Sequence, residues 1–427
     1  LYLDVSFILS HGRAEVAMGS SVDQVVVIGG GAAGFFGAIA CAEANPQARV
    51  WVLEAGYAPL QKVRISGGGR CNVTHACFDP ALLVQQYPRG GKALRGAFTR
   101  FQPRDTVDWF GVRGVTLKTE ADGRMFPVTD DSGTVVACLQ NQAERLGVRV
   151  RTTAAVVAVE REGSGFVVYL KSGERLACDR LLLATGSSPQ GHRLAKHLGH
   201  TLVPPVPSLF TFMVRDPELQ ELAGVAVPTV RMRLQCPDAT PLEQTGALLV
   251  THWGLSGPAI LKLSAWGARA LHDSRYRAEL RVNWIPQITA EAARSQLAVA
   301  KAENPRRAIA NTLPFNLPRR LSHYLVSRAD IPIDHRWADF SRPQTHRLLQ
   351  ELTQGTYAIQ GKGVFKDEFV TCGGVLLPEV NFKTMESRLC PNLYFAGEIL
   401  DIDGVTGGFN FQSAWTTSWI AGQSMND

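Results

Sequence analysis

An α/β fold, a wound parallel sheet interrupted by an inserted β-plus-helical unit, is predicted by three observations. The run QVVVI at Gln24–Ile28 leads straight into Gly29-Gly30-Gly31-Ala32-Ala33-Gly34. The run RVWVL at Arg49–Leu53 ends on Glu54. Near the other end of the chain, residues 393–421 repeat the pattern of apolar strand, glycine turn and helix.

Each element follows in turn. A continuously apolar, β-branched run is the pattern of a parallel strand buried on both faces. Residues 32–44 are small and apolar, suited to a helix packed tightly on a sheet, and with the two strands they complete a βαβ unit. Residues 132–146 read as a helix. Residues 148–183 hold alternating segments (VRVRT, AVVAVE, FVVYL) separated by turns at Gly163-Ser164-Gly165 and Ser172-Gly173, the pattern of an antiparallel meander. Residues 181–184 return to a buried strand that stops at Thr185-Gly186. From about Pro204 the character changes: VPPVP, strand-like LFTFMV, VRMRL and AELRVNW, then helical periodicity over 289–301 and 317–326. Buried strands resume from Phe369, and a last helix is expected over 411–421. The predicted organisation is a Rossmann-type nucleotide domain from residues 22–200 and 356–427, with residues 201–355 inserted as a β-barrel and helical substrate domain. Residues 1–21, which begin with leucine and hold Met18 just ahead of the first strand, are expected to be a disordered or non-native extension.

The chain's 427 residues exceed what one core usually serves, and 45% hydrophobic with 19% charged residues describes an ordinary globular protein. The net charge of +6 and pI near 8.9 suit an anionic partner. Lys and Arg are scattered without a dense run interleaved with aromatics, so phosphate-bearing cofactors explain the excess more simply than nucleic acid does. The eight cysteines lack C-x-x-C spacing, which fits a reducing cytoplasm. Cys71 and Cys77 are expected to be unpaired thiols. No apolar run reaches membrane length, and the opening decapeptide, interrupted by Asp4, is not a signal peptide. His192, His197 and His200 lack accompanying carboxylates or thiolates and read as surface residues, with no metal site.

The chemistry lies in three glycine-rich segments. A pyrophosphate must approach backbone N–H groups closely, and Gly29, Gly31 and Gly34, with Ala32 and Ala33, supply that turn. A ribose then needs an acceptor at the end of the second strand, where Glu54 stands. NAD and FAD share this ADP half. A second cluster, with Lys62 leading to Ser66-Gly67-Gly68-Gly69-Arg70-Cys71-Asn72, offers cations and hydrogen-bonding groups for phosphate and ring edges. The third, Gly397-Glu398 followed by Asp401, Asp403 and Gly404-Val405-Thr406-Gly407-Gly408-Phe409-Asn410, offers an acceptor for a ribityl chain. It also sets a helix N-terminus against a flavin pyrimidine edge, where its partial positive charge would stabilise the reduced anion. Together they favour FAD. In THWGLSGP (residues 251–258), Ser256 is expected to cap a helix with Pro258 in its first turn, the alternative being that His252 or Trp253 faces a substrate.

Through KVRISGGGRCNVTH (62–75), THWGLSGPAIL (251–261) and TMESRLCPNLYFAGEILDIDGVTGGFNFQSAW (384–415), the sequence closely resembles the BaiN-like flavoproteins, also described as the aminoacetone oxidase family. The resemblance implies noncovalent FAD on a Rossmann domain interrupted by a barrel-and-helix insert. Val157, Ala184, Thr185 and Gly186 complete the candidate cofactor contacts. One departure stands out: after Ala184-Thr185-Gly186 the family runs through a longer turn containing TGDGY, whereas SSPQGHRLAKHLGH follows here. The expected function is an FAD-dependent oxidoreductase acting on a small molecule, with NADH or NADPH as transient donor and an organic acceptor or oxygen. No second GxGxxG with its own βαβ unit supports a separate nicotinamide domain. An amine oxidase, an RNA-modifying flavoprotein and a non-catalytic flavin carrier are the alternatives.

Overall fold

The computed structural model describes residues 23–363 and 370–426; the expected N-terminal extension lies outside the described residues. Gln24–Ile28 is the centre of a sheet whose spatial order is 380–381, 386–387, 393–395, 180–183, 24–28, 49–53, 149–151. The last five of these strands are parallel, with Val26 opposite Trp51 on one side and Leu181 on the other. The chain moves outward from Gln24–Ile28 to Arg49–Leu53, then returns to the opposite side at Arg180–Leu183, so the strand order reverses at the first strand. Crevices form outside the carboxyl ends of parallel strands at such a reversal.

Val25, Val26, Val27, Val52, Leu182 and Leu183 are almost fully buried, as helices Ala32–Ala44 and Phe409–Ser424 require on the face they cover. The final helix begins two residues earlier than expected, so Phe409 and Asn410 are its first turn. Its polar residues are buried too: Thr74 and Thr106 both donate to Gln412 Oε1 (2.6 and 2.9 Å), and Thr416 Oγ1 donates to the Phe101 carbonyl (2.9 Å). These bonds offset the cost of burying hydroxyls and an amide.

The meander differs from expectation at its start. Arg149–Arg151 joins the parallel sheet, and the antiparallel unit is Val156–Glu162, Gly165–Leu170 and Arg175–Cys178.

The chain leaves the first unit along Leu202–Ser208 and returns along Val370–Val375, which pair antiparallel to each other. Between them a second sheet has the order 355–359, 278–283, 226–235, 242–251, 254–256, 212–213, 361–362, with its own core around Phe212, Met232, Leu263, Leu280 and Trp284. The helices expected over 289–301 and 317–326 are Ala290–Glu303 and Arg319–Arg328. Pro258–Trp266 is the helix expected to open at Pro258, and Ala268–Asp273 and Arg342–Gln354 are further helices that the periodicity did not give.

The two units meet at a buried ion pair. The Arg89 guanidinium grips both carboxylate oxygens of Asp403 and donates to the Ala265 carbonyl (2.8 Å), while Ser208 donates to Asp403 Oδ2 (2.8 Å). Asp403 is fully buried, so these donors replace the water its charge loses.

Candidate cofactor and substrate site

One continuous cavity of about 730 Å³ opens at the carboxyl ends of the parallel strands and continues to the inserted unit. At one end the first strand breaks into the glycine turn. A side chain on Gly34 would collide with the Gly29 carbonyl oxygen, whereas one on Gly31 would meet nothing and stand in the cavity itself. The turn is therefore closed where chain meets chain and open where a ligand would lie. Phe35 N is bonded within the helix to Gly31 O (3.0 Å). The amides ahead of it, at cavity-lining Ala32 and Ala33, have no helical carbonyl to meet and carry the positive end of the helix dipole.

Glu54 is aimed by the backbone: its Oε2 accepts from Gly30 N (2.8 Å) and its Oε1 from Gly56 N (2.6 Å). A carboxylate retains lone pairs after two such bonds, so it can still receive ribose hydroxyls. Across the cavity Glu398 Oε1 accepts from Thr371 N (2.9 Å) and its Oε2 pairs with Lys62 (3.2 Å). Thr185 also lines the cavity and holds a buried hydroxyl with no partner among the described residues.

At the far side, the amide of Asn72, oriented to satisfy both neighbours, accepts from Gly408 N (2.9 Å) and donates to the Thr74 carbonyl (2.9 Å). Asn410 locks the same turn by exchanging two bonds with Gly404 (2.8 and 2.9 Å). These contacts hold the start of the last helix open to the cavity, which Asn410, Phe411 and Ser413 line.

Of the sequence candidates, the cavity wall takes in Gly29, Gly31, Ala32, Ala33, Glu54, Lys62, Ser66, Gly67, Gly68, Asn72, Thr185, Gly186, Glu398, Gly407, Gly408 and Asn410. The others stand behind it or away from it. Gly34, Ala184 and Gly397 are packing positions next to the turn, and Gly404 is held by Asn410. Gly69 is off the wall, Arg70 pairs with Glu120 (2.7 Å), and Cys71 is buried where desolvation pushes its thiol up to about 12. The Phe409 ring stacks on His75 (4.6 Å between centroids). Asp401 faces Arg269 at the junction of the two units. Val157 is half exposed on the meander, where its carbonyl accepts from Gln190.

Three other expectations are corrected. His192 and His200 are buried, 6% and 3% exposed; strands remote in sequence close over His200, whose Nε2 meets Ser387 Oγ at 2.8 Å. Ser256 caps no helix: Gly257 precedes Pro258–Trp266 without a side-chain cap, and Ser256 instead lines the cavity. His252 and Trp253 are exposed and off the wall. All eight cysteines are unpaired thiols. Among the described residues there is no cluster suited to a metal, and no helix long and apolar enough to cross a membrane.

The inserted unit's share of the wall, Leu209, Thr211, Ser256, Leu261 and Gly363, stands outside the cofactor contacts the sequence suggests, as do Arg124 and Phe126. Their only sequence signal was Ser256 in the loop ahead of Pro258.

Comparison with known proteins places this geometry. The chain is 32% identical over 413 residues to the ribosomal RNA dihydrouridine synthase of Escherichia coli, covering 94% of this chain and 98% of that one. It is 28% identical over 411 residues to the 3-dehydro-bile acid delta(4,6)-reductase of Clostridium scindens, covering 94% and 99%. The solved structure of a 3-ketosteroid-delta4-(5alpha)-dehydrogenase from Rhodococcus jostii shares the fold at 16% identity and a TM-score of 0.50, covering 97% and 99%. The model of the HI0933-like protein Rossmann domain matches residues 23–424, and the chain thus belongs to the HI0933-like family of flavin-dependent oxidoreductases.

Proposed function

We propose that the protein is an FAD-dependent reductase that saturates a carbon–carbon double bond conjugated to a carbonyl, with NADH or NADPH as reductant and a uracil base of ribosomal RNA as acceptor. The observation that carries this reading is the continuity of the cavity. Residues that suit a dinucleotide line one end, and the inserted unit closes the other with two leucines and two hydroxyls.

The residues present fit FAD. The amides of Ala32 and Ala33 would meet its pyrophosphate, Glu54 its ribose, Glu398 and Thr185 its polar chain, and the amides at the start of Phe409–Ser424 its pyrimidine edge. Bound there, the flavin would supply two-electron hydride chemistry, and the helix N-terminus would favour its reduced anion. The barrel reading of the inserted unit is supported by its edge strands, Gly355–Ile359 and Gly361–Lys362, which are separated only by Gln360.

The two curated relatives differ in substrate but share one reaction class. A dihydrouridine synthase reduces the uracil double bond, which is conjugated to a carbonyl, and a delta(4,6)-reductase acts on unsaturated bile acids. The higher identity favours RNA, and the net charge of +6 suits a polyanion, although the dispersed Lys and Arg had argued against one. A small unsaturated ketone is the second reading, favoured by the bile acid relative.

The test is anaerobic titration of the purified flavoprotein. NADH or NADPH should bleach the oxidised flavin, and ribosomal RNA lacking dihydrouridine should restore its colour while gaining that base. Restoration by an unsaturated 3-ketosteroid alone selects the small-molecule reading. Reduction by small amines but by neither nicotinamide replaces the reductase with an amine oxidase, and a protein that neither copurifies with flavin nor can be reconstituted overturns the proposal.

A further inference from the structure

We propose that the hydroxyl pair Thr211–Ser256 is the binding point for the carbonyl oxygen of the acceptor, with Ser256 as the donor. The inference rests on the reductase reading above and deepens it by assigning a residue to substrate recognition.

The first argument is placement. Of the cavity-lining residues contributed by the inserted unit, Leu209, Leu261 and Gly363 bring no side-chain hydrogen bond, so Thr211 and Ser256 are the polar points of an otherwise apolar wall. Ligand sites are commonly built this way, with a few polar groups fixing the orientation of a ligand held mainly by apolar contact.

The second is direction. Thr211 Oγ1 donates to Ser256 Oγ at 2.9 Å, which spends the threonine proton within the pair. The Ser256 oxygen is thus an acceptor already, and its own proton has no acceptor among the described residues. Donation into an oxygen polarises its outgoing O–H bond, so the arrangement makes Ser256 a stronger donor than an isolated serine. A part-buried hydroxyl left without an acceptor costs stability unless a ligand or water takes its proton.

The third is rigidity. Thr211 O accepts from Gly363 N (2.9 Å), and the adjoining strand Phe212–Met213 is held between Gly254–Ser256 and Gly361–Lys362, with Phe212 opposite both Leu255 and Lys362. Both hydroxyls therefore sit on hydrogen-bonded sheet, and neither is committed to a helix cap. A conjugated carbonyl is the matching ligand: planar, apolar enough to lie against Leu209 and Leu261, and carrying an acceptor oxygen. The contact would strengthen as negative charge builds on that oxygen during reduction, which is what a fixed donor contributes to such chemistry.

Para-substituted phenols test the site in the FAD-loaded protein, because phenolate presents a tunable oxygen on a flat ring and cannot be reduced. Calorimetry should show Ser256→Ala weakening phenolate binding about tenfold and Thr211→Val about threefold, with Ser256→Thr close to the parent protein. The dependence of affinity on phenol acidity should flatten in Ser256→Ala while flavin content and thermal stability stay unchanged. Parental affinity and slope in Ser256→Ala, or no phenolate binding by the parent protein, overturns the assignment. Absence of turnover with both RNA and unsaturated ketones, alongside Ser256-dependent phenolate binding, would instead sink the reductase reading and leave the oxygen site standing.

Discussion

On the sheet side of the cavity three glycine turns present bare backbone, at Gly29–Gly31, Gly67–Gly68 and Gly407–Gly408, whereas the inserted unit presents mainly side chains, Leu209, Thr211, Ser256 and Leu261. The difference follows from what each wall would hold. A pyrophosphate and a ring edge are met by N–H groups at helix starts, which need chain without Cβ atoms. An acceptor that must be oriented is met by shaped apolar surface and a fixed hydroxyl. Substitutions at the glycine turns of the first wall should therefore strike cofactor and fold together, and those on the second should strike the acceptor alone.

The broadest effect, on fold and cofactor together, is expected at Gly34. In Gly34→Val the new Cβ meets the Gly29 carbonyl oxygen, a backbone atom that cannot rotate away, so the strand and helix must part. The variant should lose about 3 kcal/mol of stability and purify without flavin. Urea denaturation and the ratio of flavin to protein absorbance check this. A yellow, stable Gly34→Val would break the comparison, because the turn that carries the sheet-side wall would then tolerate side chains.

The next effect lies where the walls are joined. Asp403→Asn leaves the Arg89 guanidinium, 16% exposed, without its counter-charge, and should cost about 3–5 kcal/mol. The double variant Arg89→Met/Asp403→Leu should recover most of that in denaturation experiments. An unchanged midpoint for Asp403→Asn would mean that this ion pair does not hold the two units together.

Glu54 tests the sheet side more gently. Glu54→Gln keeps the shape but turns one acceptor oxygen into a donor facing Gly30 N or Gly56 N. FAD affinity should fall about tenfold, measured by equilibrium dialysis, with the fold intact. A loss confined to the acceptor's affinity would place Glu54 on the wrong side of the comparison.

What could be read in the sequence divides along the same line. The turn at Gly29–Gly34, the strand ending at Glu54 and the glycines before the last helix are local patterns, since each constraint acts between residues a few positions apart. Ser256 was misread because its partner, Thr211, is 45 residues away, and SGP spells a helix cap as plausibly as a cavity wall. His200 reads as exposed for the same reason: Ser387 and the Phe395 ring, which cover it, are supplied by strands almost 200 residues on. Arg149–Arg151 alternates like an exposed strand because it is the edge of the parallel sheet, with one side left unpaired.

The smallest predicted effect concerns Asp401, which sequence placed with the cofactor and the structure places at the junction. Its Oδ1 and Arg269 Nη2 stand 3.8 Å apart, and neither atom has a hydrogen-bond partner among the described residues. Burial raises the carboxyl above its ordinary 3.8, with Arg269 and Arg89 only partly opposing the shift. A folded state that holds this proton more tightly than the unfolded chain is favoured at low pH, and the advantage is lost as pH rises through the raised value. Asp401→Asn, which cannot ionise, should therefore gain on the parent protein as pH climbs from the ordinary carboxyl value, then level off, by less than about 1 kcal/mol given solvent screening. Urea denaturation of both proteins across that range measures the difference. A gain that grows and levels off marks Asp401 as a strained carboxylate beside the well-paired Asp403. A difference of opposite sign would show Arg269 holding it charged, making the junction ionic at both carboxylates.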